Sequence, residues 1–255
     1  MAANLFSARA LKTMQHLNRV PEILRCQRHT SDWLKLTKAY VGVAADLPFD
    51  VNLPSGKFRF CEVSDVATFW QIFYRQIYRV ERSDRLIVDA GANIGAFTLY
   101  ALQTAPQANV ISIEPAPDSC DRVRSMLRAH NLESRCVLHQ AALAASPGKT
   151  TLELNVGSQF RRSGTPGITV ETVTLDSLIP QNEVVDMLKM DIEGAEYEVL
   201  NSVSIETLRR VRRVVLEYHP NAAYDLAIQP LIASGLNITG RRDDGDGYGM
   251  VWLGR

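Results

Sequence analysis

A carboxylate, two glycines and an asparagine fall within seven residues in Asp89-Ala90-Gly91-Ala92-Asn93-Ile94-Gly95. Apolar Leu86-Ile87-Val88 precede them, and Phe97, Ala101 and Leu102 follow at helical spacing. This is the pattern of a buried strand, a tight turn and a helix that begins near Ile94, with Asn93 placed to cap it. Gly91 permits the turn and a close approach of backbone to a ligand. Glu114 ends the next apolar run, Val110 to Ile113, and an acid roughly 20 residues past such a turn is placed to accept hydrogen bonds from a ribose diol. A dinucleotide site wants three glycines and no acid where the pyrophosphate lies. Here only Gly91 and Gly95 are present, and Asp89 would repel phosphate. S-adenosylmethionine carries a sulfonium, an ammonium and a ribose diol but no phosphate. It is the cofactor these residues favour over a nicotinamide dinucleotide or an ordinary ligand-free turn.

A second constellation is Lys189-Met190-Asp191-Ile192-Glu193-Gly194-Ala195-Glu196. Asp191 closes an apolar strand, where an acid has little packing value, and Gly194 opens a helix. Glu193 is balanced between function and solvation. Glu196 reads as a carboxylate in a first helical turn, where the macrodipole favours it. Lys189 alternates with residues of a buried strand and so needs a carboxylate, a ligand or a route to solvent. The following strand ends at Glu217-Tyr218-His219-Pro220. In an open α/β sheet ligands bind at the carboxyl ends of the strands, which puts Asp89, Glu114, Asp191, Glu217 and His219 on one rim. His219 has an imidazole suited to a general base, and for an alcohol acceptor, which must lose its proton as it attacks, Asp191, His219 and Glu217 are the candidate catalytic residues: Asp191 or His219 as base, and Glu217 to orient the histidine or the substrate. A rival version places a divalent cation, magnesium by its oxygen-rich ligands, on Asp191, Glu217 and His219.

The elements that must position these groups are predicted as an alternating doubly wound α/β sheet from residue 86 onward. Its strands fall at 86–89, 110–113, 136–140, 185–190 and 211–217, with helices near 94–104, 117–131, 194–201 and 221–234. Residues 237–240 and 248–253 read as two closing strands around the acidic turn Asp243 to Gly247. Thr150 to Leu154 and Thr169 to Val173 read as strands flanking a polar loop (Gly157, Ser158, Arg161, Arg162, Ser163, Gly164, Pro166, Gly167), which is either a substrate loop or a surface hairpin. Ahead of residue 86, Asp65 to Tyr78 forms an aromatic helix that is core material and can also wall the site. Residues 47–62 form a small antiparallel pair. Residues 1–45 carry two helical patterns divided at Pro21, a basic amphipathic extension rather than a transit peptide. It can cover the cleft, mediate homodimerisation, or do neither. The expected division is a helical extension over 1–45 and a catalytic domain over 46–255.

The 28 basic and 28 acidic side chains cancel, which counts against a nucleic-acid partner. No apolar run reaches membrane-spanning length. Cys26, Cys61, Cys120 and Cys136 form no CxxC pair, so free thiols in a reducing, cytoplasmic setting are expected.

Taken together, Val88 to Gly95 and Lys189 to Glu196 resemble the FkbM family of S-adenosylmethionine-dependent methyltransferases. Glu114-Pro115, Gln140-Ala141-Ala142-Leu143 and Val173-Thr174-Leu175-Asp176-Ser177-Leu178 add to the resemblance, which spans roughly residues 60–250. It implies a class I methyltransferase Rossmann-like fold: a seven-stranded mixed sheet, its last strand antiparallel, with helices on both faces. It also implies cofactor contacts from Asp89, Gly91, Asn93, Gly95 and Glu114, and adenine contacts near Ala141. The implied acceptor is a hydroxyl on a sugar, glycolipid or polyketide-type molecule. Two other classes stand beside this one: an N-methyltransferase acting on protein or nucleic acid, and a nucleotide-binding module without catalysis. No Asn/Asp-Pro-Pro-aromatic tetrapeptide supports the first, and Asp89 argues against the second.

Overall fold

A computed structural model describes residues 19–43, 46–153, 167–220 and 224–255, and it divides into two compact units that meet between Ile77 and Tyr78. In the first unit Pro21 lies in the first turn of α1 (Val20–His29), where its missing N–H costs nothing. After α2 (Trp33–Tyr40) come β1 (Phe49–Leu53) and β2 (Gly56–Phe60), the expected antiparallel pair. α3 (Val63–Trp70) then passes into a π-helical turn over Gln71–Arg75 that stops at Gln76, whose φ is +56°. The aromatic run is core: Phe69 stacks on Phe73 and Tyr40 on Trp70, with ring centroids 4.1 and 4.2 Å apart.

The second unit is built on β3 (Leu86–Ala90), β4 (Asn109–Ile113), β5 (Cys136–His139), β9 (Met187–Met190), β10 (Arg213–Tyr218), β11 (Asn237–Gly245) and β12 (Tyr248–Gly254). They form one seven-stranded sheet in the order β11-β12-β10-β9-β3-β4-β5. Neighbours from β10 to β5 run parallel, and β12 is antiparallel to both β10 and β11. This is the mixed sheet of a class I methyltransferase. The flanking helices include α4 (Ala96–Thr104), α5 (Pro117–His130), α7 (Glu196–Ser202), α8 (Ile205–Arg209), α9 (Tyr224–Ala227) and α10 (Gln229–Ala233); a single turn, α6, covers Leu175–Leu178. Strand residues such as Val88, Leu188, Val214 and Leu216 are fully buried, as expected when helices cover a parallel sheet.

The stretch expected to break the rhythm does so. β6 (Ala142–Leu143), β7 (Gly148–Glu153) and β8 (Gly167–Val173) make a separate three-stranded sheet in the order β6-β8-β7. The polar loop between β7 and β8, residues 154–166, lies outside the described residues, as do the first helical pattern of the chain and the opening of the helix expected over 221–234. That helix is two short ones, α9 and α10, with Ile228 between them and Pro230 in the first turn of the second. The parallel order sets the switch point between β3 and β9, where the crossovers run in opposite directions along the sheet. The carboxyl ends of β3, β4, β9 and β10 therefore open onto one crevice.

Candidate active site

Parallel register places Ser112, Asp89 and Lys189 side by side on one face of β4, β3 and β9. This is a polar row inside an otherwise apolar sheet. Asp89 is fully buried: its Oδ2 accepts the Thr98 hydroxyl at 2.6 Å, and Thr98 lies 2.7 Å from the Ser112 hydroxyl. The other oxygen, Oδ1, is 3.4 Å from Lys189 Nζ and accepts no hydrogen bond from the described residues.

Past the strand end the chain turns at Gly91 (φ +81°) and Asn93 (φ +49°), and α4 starts only at Ala96, with Gly95 (φ +80°) as its N-cap. The expectation that Asn93 caps the helix is therefore corrected. Its amide N–H donates 2.7 Å to Glu114 Oε2, while its buried side-chain Oδ1 has no hydrogen-bond partner among the described residues. The amides of Gly91 and Ala92 both donate to Ile113 O, and that of Gly95 to Ala92 O. Four of the five N–H groups between Gly91 and Gly95 are thus used internally, and the turn presents acceptor oxygens rather than the free donors a pyrophosphate needs. An alanine Cβ at Gly91 would fall into the Asp191 carbonyl. Gly91→Ala is expected to cost the fold about 1–3 kcal/mol from the left-handed backbone alone, and more from that collision, read as an earlier midpoint in urea denaturation.

Glu114 lies 7% exposed at the end of β4, and its second oxygen accepts the Ala116 amide at 2.9 Å. Burial pushes its carboxyl up to about 7, against those two backbone donors and Lys189. Ala141, assigned to the adenine by resemblance, is buried in the bend between β5 and β6.

Across the switch point, Asp191 lies just past β9 with its Oδ2 3.7 Å from Lys189 Nζ. Glu193 holds a left-handed backbone at φ +57°, unusual for a residue with a side chain, and Gly194 follows at +104°. Glu196 ties this turn down. Its Oε1 accepts the Ile192 and Gly194 amides at 3.2 and 3.1 Å and lies 3.0 Å from His219 Nδ1. The expected helix-start role of Glu196 is thus only half its work, because the same oxygen orients the histidine. His219 Nε2 is 3.2 Å from Glu193 and 4.0 Å from Asp191. Glu217 accepts the Tyr78 hydroxyl at 3.4 Å. The ligand atoms of Asp191, Glu217 and His219 lie within 4.8 Å of one another.

Burial alone would lower His219, yet Glu196, Glu193 and Asp191 together push it up to about 9, so the imidazole is cationic at neutral pH. Glu217 is raised to about 7 by burial and by Asp191, with His219 and Lys189 pulling the other way. Glu193 is likewise raised to about 7, by burial and then by Asp191. Two cations, Lys189 and His219, thus face the five carboxyls of Asp89, Asp191, Glu193, Glu196 and Glu217. This leaves a rim that favours a positively charged ligand.

The structure brings Asp191, Glu217 and His219 into one cluster and sets Asp89, Asn93 and Glu114 around the adjacent turn. Sequence reasoning gave three members no specific role. Tyr78, the last of the aromatic run expected to wall the site, is buried between Glu217 and the Phe97 ring, a pairing that the run itself does not record. Thr98 is a hydroxyl on the buried face of a helix. Lys189 was legible as a charge out of place, without its role.

Residues 89–235 match the family described as the methyltransferase FkbM domain. The methyltransferase sdnD of Sordaria araneosa is 30% identical over 209 residues, covering 66% of this chain and 81% of its own. The hexuronic acid methyltransferase AglP of Haloferax volcanii is 26% identical over 170 residues, 62% of this chain and 69% of that one. The 31-O-demethyl-FK506 methyltransferase FkbM of Streptomyces tacrolimicus is 27% identical over 218 residues, 68% and 84% of the two chains.

Proposed function

The chain belongs to the methyltransferase FkbM domain family, and from that premise we propose that it moves the methyl group of S-adenosylmethionine to a hydroxyl oxygen of a sugar, glycolipid or polyketide-type acceptor. The observation that carries the cofactor assignment is the turn from Asp89 to Gly95. Four of its five amides are used internally, and it holds out a buried carboxylate oxygen, Asp89 Oδ1, which is ion-paired with Lys189 but accepts no hydrogen bond from the described residues, and a buried amide oxygen, Asn93 Oδ1, likewise without a donor there. Those acceptors suit a ligand with an ammonium and ribose hydroxyls and repel one with phosphates. Asp89, Gly91, Asn93 and Gly95 would hold the cofactor, Glu114 its ribose and Ala141 its adenine. Bound there, the cofactor supplies an electrophilic methyl on a positively charged sulfur.

The chain's own work is alignment and proton removal. Because His219 is already charged, the proton acceptor in this reading is Asp191, whose side chain is 27% exposed at the rim. His219 then offers its charge to the developing alkoxide, while Glu217, held by Tyr78, orients the acceptor. Incubation with methyl-labelled S-adenosylmethionine and a panel of hydroxylated sugars and polyketides tests this. Alkali-stable methyl ether on a panel member supports it. Label found only on nitrogen of protein or nucleic acid would replace it with the N-methylating alternative.

A second reading, magnesium on Asp191, Glu217 and His219, is favoured by one observation, the closeness of their ligand atoms. The ion would have to displace the imidazole proton, and it would supply a lower pKa for the bound alcohol. Turnover unchanged in excess chelator sinks that reading. The remaining expectations stand as proposals: a helical extension over 1–45 ahead of a catalytic domain over 46–255, a homodimer, no nucleic-acid partner, and a reducing, cytoplasmic location. The four cysteines are all free thiols, which suits that location. Among the described residues no helix is long and apolar enough to cross a membrane.

The raised Glu114 carboxyl makes a pH prediction. Between its ordinary value of 4.5 and about 7, the folded chain holds a proton that the unfolded chain has lost. Its contribution to stability is therefore full at low pH and is lost as the pH rises through about 7. Ribose hydroxyls donate to the ionised form, so S-adenosylhomocysteine should bind more tightly at pH 8 than at pH 6 and release a proton near pH 7. Calorimetry in two buffers of different ionisation enthalpy measures that proton, and Glu114→Gln should remove it.

A further inference from the structure

We propose that Lys189 is a positioning residue whose single ammonium holds the cofactor turn and the acceptor-side carboxylate in fixed relation to each other. The proposal rests on the methyltransferase reading above and assigns a role to a residue outside the candidate catalytic and cofactor sets. Lys189 stands at the centre of the sheet, 4% exposed, with Asp89 beside it on β3 and Asp191 two residues ahead, just past the end of its own strand. Its Nζ donates to Gly91 O at 2.5 Å and to Ala90 O at 3.3 Å, which are the carbonyls that open the glycine turn. The same atom is 3.4 Å from Asp89 Oδ1 and 3.7 Å from Asp191 Oδ2. The Tyr78 ring lies alongside, its centroid 5.9 Å away.

An ammonium has three donors and no acceptor, and in a buried strand each must find an oxygen. Two of them reach the carbonyls of Ala90 and Gly91 on the β3 side of the switch point, while across it the charge is paired with Asp191 at the end of β9, 3.7 Å away. An apolar residue would pack here without comment, so a charge at this depth is kept for what it connects. In-line methyl transfer demands that the donor sulfur and the acceptor oxygen be held within a fraction of an ångström of a working separation. Asp89 is assigned to the first and Asp191 to the second, and Lys189 is the one side chain among the described residues that contacts both carboxylates.

The test is calorimetric titration of the full chain, native, Lys189→Met and Lys189→Gln, with S-adenosylhomocysteine and with S-adenosylmethionine, alongside a thermal melt of each. The Met variant removes charge and donors, whereas the Gln variant keeps a donor without the charge. Expected is at least a tenfold weaker Kd for S-adenosylhomocysteine in Lys189→Met and a smaller loss in Lys189→Gln. The loss for S-adenosylmethionine should be smaller in both, because the freed carboxylates attract its sulfonium. A merely structural lysine would lower the melting temperature while the folded fraction bound both ligands with native Kd, and that result overturns the proposal. If Lys189→Met does not melt cooperatively, the Gln variant decides: native affinity for both ligands overturns the proposal, and weakening of S-adenosylhomocysteine supports it. Absence of binding by the native chain would instead overturn the methyltransferase reading on which the proposal rests.

Discussion

Asp89→Ala is expected to lose S-adenosylhomocysteine binding by about 10–150-fold, the worth of a charge-assisted hydrogen bond of about 1.5–3 kcal/mol. The same change strands Lys189, whose charge Asp89, Asp191 and Glu217 favour against burial. Breaking a buried pair by removing one partner costs about 3–5 kcal/mol, so the variant should also melt well below the native chain. Asp89→Asn separates the two effects. It keeps the Thr98 hydrogen bond available and the shape of the strand end, but not the charge. If affinity follows charge, the asparagine variant binds as weakly as the alanine variant while unfolding later. Native affinity in both would detach the cofactor from this strand end.

Asp191→Asn should have the largest effect on turnover. Proton transfer by a positioned group contributes about 10²–10⁴-fold, and in this reading Asp191 is that group, since His219 already carries a proton and Glu217 is engaged by the Tyr78 hydroxyl. The expected signature is a fall in kcat of that size with a much smaller change in S-adenosylhomocysteine affinity, because the Asp191 carboxylate reaches the cofactor turn only through Lys189. Glu217→Gln should fall less, since it keeps a partner for the Tyr78 hydroxyl. Equal losses in both variants would point instead to a shared role, as two ligands of one cation, and the chelator experiment would then take precedence. Undiminished kcat in Asp191→Asn would remove the base from this strand end altogether.

The two motifs carried most of the fold in the sequence because each encodes a local physical decision. Leu86 to Asp89 and Met187 to Asp191 are apolar runs closed by an acid, and only strands buried on both faces and ending at an open rim have use for that order. Gly91 announced a tight turn, and its backbone is left-handed there, as is that of Gly95. The seven-stranded order followed from the alternation of strands and helices together with the family resemblance. Asn93 misled, since an asparagine ahead of a helix is usually its cap. Here tertiary ties from Glu114 and Ile113 hold the turn open for two further residues before the helix begins.

Tertiary structure alone decided which charges face one another. Tyr78 meets Glu217 across 139 positions of chain, and Lys189 meets Gly91 across 98. No local period records such pairings. Glu196 read correctly as an acid in a first helical turn, yet its second partner, His219, comes from the next strand and turns a helix-start carboxylate into the group that fixes the histidine's charge. The sequence by itself determined where the strands end and which acids stand at those ends, because hydrophobic burial and turn chemistry act over a few residues. The protonation of His219, the anchoring of Lys189 and the division of labour among five carboxyls depend on distances of 3–4 Å between separate strands, and those exist only once the sheet has closed.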